Sequence, residues 1–341
     1  AMSQRGSLLA VLSVTAVILA APVAVLGQSG DPARARTPWG DPDLHGIWTS
    51  STYTPLERPD HLAGREFLTE EEHAELNLFL TEDGVDPLRA RSVLAADSED
   101  RRRELTEQTQ ENIHYDNAIW LTEEQPRRLT SRRTSLIVDP PDGRLPSRTD
   151  AARQRARTLG INSRSRAADG PEDRERYERC IMGRTVPLLA QAPNKLAQIF
   201  QTPGYVAILH EQNSDLRLVR LDGGAPLATP IRQWQGHSRG HWEGDTLVVE
   251  TANFNGQWTL SGTGANMRLV ERLTVTDTGT LAYEVTVEDA ESFASPWTVS
   301  FPITRATGPL YENACHEGNH SMPLILSGAR AEERAEEAAS R

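Results

Sequence analysis

Seven short segments of this chain, residues 205–210, 216–221, 239–243, 246–251, 269–275, 281–287 and 297–303, alternate apolar with polar side chains and are parted by Gly, Asp, Asn or Pro. A period of two places successive side chains on opposite faces of a strand. Leu281, Tyr283, Val285 and Val287 thus share one face, and Ala282, Glu284, Thr286 and Glu288 share the other. Short connections make consecutive strands antiparallel neighbours, because a parallel pair needs a crossover of about a dozen residues or more. The expected fold class is mainly β, α+β overall, with an antiparallel barrel or sandwich in the C-terminal half.

Residues 236–253, GHSRGHWEGDTLVVETAN, read as a hairpin with two chemically different faces. With Gly244 and Asp245 as a two-residue loop, Glu243 faces Thr246, His241 faces Val248, Arg239 faces Glu250 and His237 faces Ala252. His237, Arg239, His241 and Glu243 then form a polar face, while Trp242, Leu247 and Val249 lie beside Gly240 and Ser238 on a face suited to a core. Such a polar ladder either lines a cleft or faces water. In residues 269–275 the same parity sets Glu271 among Leu269, Leu273 and Val275. Buried without a partner, that carboxyl would have a raised pKa and serve as a proton donor or acceptor; paired with an arginine or backbone amides, it would be structural.

Four regions are expected along the chain: a signal segment at 1–27, an irregular and partly helical wrapping region at 28–170, an antiparallel β domain at 171–328, and a polar helical tail at 329–341. Arg5 precedes an apolar run over 8–26 that is broken by Pro22 and followed by small residues before Gln28, the pattern of a secretory signal. An uncleaved anchor is the alternative, since the run approaches the ~20 residues that span a bilayer. No other segment is long and apolar enough to span a membrane, so the mature protein is expected to be periplasmic or extracellular. In the wrapping region, Thr69 with Glu72 forms a capping box ahead of a helix whose apolar side carries Ala74, Leu76, Phe79 and Leu80. A second helix is expected over 97–112, and a short strand over 135–138 ends at the Asp139-Pro140-Pro141-Asp142-Gly143 turn.

Cys180 and Cys315 are the only cysteines. In an oxidising compartment a lone pair is most simply a structural disulfide, with a free catalytic thiol as the alternative. A formal net charge of -12 over 341 residues argues against nucleic acid as a partner, because phosphate neutralisation needs a basic surface. Two motif matches bear on catalysis. Gly236-His237-Ser238-Arg239-Gly240 fits GxSxG, but a nucleophile elbow needs a helix after the serine and this chain runs on into a hairpin. His316-Glu317-Gly318-Asn319-His320 fits HExxH, which binds zinc through His316 and His320 with Glu317 activating water only if the segment is helical. Gly318, Asn319 and the nearby Pro323 oppose a helix there. His237 and His241, about 13 Å apart along one strand, are too distant to share one ion. His210, at the end of an apolar strand, is a further candidate ligand-binding residue.

The segments PWGDPDL at 38–44 with Gly46-Ile47-Trp48, RTSLIVDPPDGR at 133–144, the hairpin, and ACHEGN at 314–319 together resemble a family of secreted proteins from environmental bacteria. The resemblance implies export and a shared fold and carries no activity. Gly46-Ile47-Trp48 is also similar to the GxW opening of lipocalin-type barrels. The expected function is binding of a small molecule or glycan in a β-sheet cleft, with Arg239 and His210 holding the ligand. The alternatives are a secreted hydrolase or lyase that uses His237, His241, Glu243, Glu271 or Glu317 for acid–base chemistry, with zinc as its one conceivable cofactor, and a structural envelope protein. No membrane partner is expected beyond the signal segment.

Overall fold

The computed structural model describes residues 35–82, 85–86, 89–106, 128–159, 168–183, 185–189, 196–257 and 260–340. The signal segment expected at 1–27 and the second half of the helix expected at 97–112 lie outside them. Among the described residues the sheet holds ten strands: β1 (Gly46–Thr49), β2 (Ile137–Asp139), β3 (Leu196–Thr202), β4 (Tyr205–His210), β5 (Leu216–Arg220), β6 (His237–Glu243), β7 (Thr246–Ala252), β8 (Arg268–Asp277), β9 (Thr280–Glu288) and β10 (Trp297–Arg305). Nine of them close a barrel in the order β1, β3 to β10, with β10 pairing back onto β1. β2 adds to the N-terminal end of β10, opposite Thr298 and Val299, while β1 takes its C-terminal end, opposite Thr304 and Arg305.

Alternation fills the barrel as the sequence pattern requires. Leu247, Val249, Leu269, Leu273, Leu281, Tyr283, Val285 and Val287 are all buried in one core with Trp48, Trp297 and Phe301. β1 and β2 come from the region expected to wrap the sheet, β2 overlapping the short strand expected over 135–138, so that region supplies part of the wall. Its glycine is specific: Gly46 has φ +137°, and a Cβ there would lie 2.1 Å from Nη1 of Arg305. The guanidinium of Arg305 stacks over the Trp48 ring, 4.3 Å from its centroid, and Nη1 donates to the His45 carbonyl at 3.0 Å.

The sheet is mixed, which corrects the wholly antiparallel expectation. β5 and β6 run parallel through only two residue pairs, Val219 with Ser238 and Arg220 with Arg239. Residues 221–236 are long enough to return along the barrel without a helix. Asn253, at φ +62°, pins this return by donating from Nδ2 to the carbonyls of Ala228 and Ile231 at 3.1 and 3.0 Å.

Four helices lie among the described residues: α1 (Glu70–Phe79), α2 (Glu99–Thr106), α3 (Asp150–Leu159) and α4 (Ser321–Ala339). The capping box forms as expected, with Thr69 Oγ1 accepting from Glu72 N–H and Glu72 Oε2 accepting from Thr69 N–H. Leu76, Phe79 and Leu80 are buried in a second, smaller core with Tyr53, Ala90 and Val93, while Ala74 faces outward. α3 was not signalled, and α4 begins earlier than the expected tail. No helix among the described residues is long and apolar enough to cross a membrane.

Candidate functional site

The parallel pairing determines where the barrel wall opens. Two paired positions hold β5 to β6, and ahead of His237 the chain leaves β5, so Leu216 to Leu218 have no strand on that side among the described residues. The gap is a cleft of about 510 Å³. Tyr205, Leu216, Leu218, Trp234 and His237 line its outer part, and Arg217 with Ser238 lie at its floor. Tyr205, Leu216 and Leu218 are 44%, 54% and 54% exposed, so three large apolar side chains on neighbouring strands meet solvent at its mouth.

Beneath the cleft a buried polar network draws one side chain from each of five consecutive strands. Arg217 of β5 donates from Nε to Ser238 Oγ of β6 at 2.8 Å and from Nη2 to Thr251 Oγ1 of β7 at 2.6 Å. It also pairs with both oxygens of Glu271 on β8, Nη1 to Oε1 at 3.1 Å and Nη2 to Oε2. Tyr283 of β9 donates to Glu271 Oε1 at 2.8 Å and accepts from Leu188 N–H at 3.1 Å. Burial opposes the charge on Arg217, but Glu271 outweighs it and holds the guanidinium above its ordinary pKa. Burial and then Glu271 push the Tyr283 hydroxyl well up, keeping it a donor. Glu271 therefore has the arginine partner of the structural alternative.

The part of the cleft wall formed by 181–182 is held at both ends. Ile181 and Met182, which line it, directly follow Cys180. Cys180 is bonded to Cys315, with S–S 2.08 Å and a separation of 135 residues, so the disulfide ties the chain before β3 to the chain after β10. On the other side, Asp215 accepts from Gly183 N–H at 2.8 Å and from Thr185 Oγ1 at 2.9 Å. Burial raises the Asp215 pKa against these two bonds.

The hairpin forms in the expected register, with Gly244 at φ +60°. Its polar residues, however, are spread over different surroundings. His237 alone lines the cleft; burial first, then Arg239 and Arg220, hold its imidazole below the ordinary value, so it is neutral at pH 7. Arg239, His241 and Glu243 instead belong to an outward ion-pair lattice. Arg239 lies 3.7 Å from Glu250, Arg268 bridges Glu250 and Glu288 at 3.1 and 2.7 Å, and Glu243 pairs with Arg272 and His241 at 2.9 and 3.1 Å. Arg239, His241 and Glu250 also border a shallow hollow of about 130 Å³. Solvent screens such exposed pairs, so they add little to stability.

His210 points into the barrel near Arg217, where burial first and that charge second push its pKa down to about 3. Its Nε2 has no hydrogen-bond partner among the described residues. His316 and Glu317 are exposed, and the chain from 315 to 320 is turn and coil with Gly318 at φ +67°, so His316 and His320 do not share a helix face. Asn319 serves the fold: Oδ1 accepts from Ser321 N–H at 3.2 Å, and Nδ2 donates to Glu178 O at 3.3 Å. No group of three or more His, Cys, Asp or Glu among the described residues is arranged to hold a metal ion.

Tyr205, Leu216, Arg217, Leu218 and Trp234 were not singled out from sequence. In LRLVR, parity sets Leu216, Leu218 and Arg220 on one face and Arg217 and Val219 on the other, and hydrophobicity favours the face with two leucines inside; the structure has Arg217 and Val219 inside, with Glu271 meeting the guanidinium. The inward carboxylate was the available signal that an arginine must meet it. No protein family, curated protein or solved structure matches this chain significantly.

Proposed function

We propose that this chain is an exported protein that binds a small hydroxylated molecule or glycan in the cleft between β5 and β6. The observation that carries the reading is the cleft's composition at a size typical of ligand sites, about 510 Å³ against a usual range of roughly 300–1,000 Å³. Tyr205 and Trp234 offer flat faces to the apolar side of a sugar or similar ring. Gln233, Gln235 and Arg220 offer hydrogen bonds at the rim, and neutral His237 both donates and accepts. The described lining contains no carboxylate, so a hydrolase or lyase would lack an acid–base pair in this cleft. The reading as a structural envelope protein rests on the solvated hairpin face, and it leaves the exposed leucines and the aromatics beside that face without a purpose. Export is supported by the disulfide, which persists in oxidising compartments.

The test is equilibrium dialysis of the intact protein against a mixed extract of glycans and small metabolites, read by mass spectrometry. We expect at least one compound retained by the wild type and lost from a Tyr205→Ala/Trp234→Ala variant of unchanged fold. Equal retention by both proteins, or none by either, would refute the proposal.

A further inference from the structure

A second cavity, of about 120 Å³, lies at the seam between the small helical core and the barrel core. Its polar lining is Arg91, Thr52 and Thr54, and its apolar lining includes Leu56, Leu136 and Leu189. Two of the polar groups are left wanting. Arg91, half-buried on the single turn Ala90–Ser92, has neither an ion pair nor a hydrogen bond among the described residues. Thr54 is 4% exposed, and its Oγ1 has no partner there either. Thr52 Oγ1 accepts from Thr54 N–H at 3.1 Å and keeps its own hydrogen to donate.

The two deeply buried arginines differ in this respect among the described residues. Arg217 is met by Glu271, and Arg58 donates to Thr134 Oγ1 and the Pro141 carbonyl at 3.0 and 3.1 Å. Burial lowers the Arg91 pKa, with Tyr53 acting in the opposite direction. A desolvated cation and an unsatisfied hydroxyl facing one space are both costly, and a single anionic acceptor relieves both. A water would satisfy the hydroxyl but leave the charge without a counterion. The space is far below the usual ligand range and holds only a few heavy atoms.

We propose that this cavity binds a short aliphatic carboxylate, with Arg91 pairing to its oxygens, Thr54 donating to one of them, and Leu56, Leu136 and Leu189 covering the alkyl end. The leucines favour a carboxylate with a short chain over a fully hydrated inorganic anion. This cavity is lined by none of the residues of the β5–β6 cleft.

Calorimetric titration of the intact protein with sodium butyrate at pH 7 tests it. Saturable one-to-one binding is expected, weakened at least tenfold by Thr54→Val and abolished by Arg91→Met, while Trp234→Ala leaves it unchanged. Without butyrate, Arg91→Met should melt above the wild type, because it removes a desolvated charge with no counterion. If that variant fails to fold, Thr54→Val, nearly isosteric, decides alone. The proposal is overturned by absence of saturable binding, by binding indifferent to both substitutions, or by inorganic phosphate occupying the cavity as tightly as butyrate.

Discussion

His210 shows how a single side chain sets the acid sensitivity of the barrel. Its imidazole is buried beside Arg217, and its pKa of about 3 in the folded chain lies below the ordinary 6.5. Above pH 6.5 it is neutral folded or unfolded, and its contribution to stability is fully present. As pH falls from 6.5 towards 3, the unfolded chain takes up a proton that the folded chain refuses, and stability is lost. The loss is about 1.4 kcal/mol per pH unit across most of that window. Urea denaturation of the wild type and His210→Gln between pH 4 and 6 should therefore give stability slopes differing by about one proton. Equal slopes would mean that the imidazole titrates normally in the fold.

The five strands β5 to β9 are tied from inside by Arg217, Ser238, Thr251, Glu271 and Tyr283, where the β5–β6 ladder is weakest. Removing one partner of a buried ion pair leaves the other charge without compensation and costs about 3–5 kcal/mol, whereas replacing both with apolar groups costs far less. Arg217→Met and Glu271→Leu should each destabilise by that order in denaturant titration, and the double variant by clearly less than the sum. Additive losses would show that the two charges are not coupled. These strands also show what could be read from the chain. β4 and β6 to β10 follow from alternation and turn residues, and the hairpin register follows from Gly244-Asp245. β3, β1 and the parallel pair do not. LAQIFQT has an interrupted pattern, GIWT is too short to stand out, and the direction of β5 against β6 is decided by a return through 221–236 that has no strand or helix of its own. The cleft was illegible for the same reason, since it exists only where two strands distant in register diverge. Of the polar-face candidates His237, Arg239, His241 and Glu243, His237 alone lines it.

At the scale of the whole molecule, the first half of the chain closes the barrel as well as surrounding it. β1 joins β3 to β10, and Arg305 locks that joint over Trp48. The disulfide and Asp215 hold Ile181 and Met182 in the wall of the cleft, so a feature remote in sequence shapes the opening. The barrel thus has a packed interior, a solvated ion-pair face over β6 to β9, and a gap that reaches the buried charges. The most direct test of that division is hydrogen–deuterium exchange of the protein with and without the compound retained in dialysis. Exchange should slow in 216–218 and 233–238 and stay unchanged in 241–248. Protection centred on 241–248, with the cleft segments unaffected, would contradict the account.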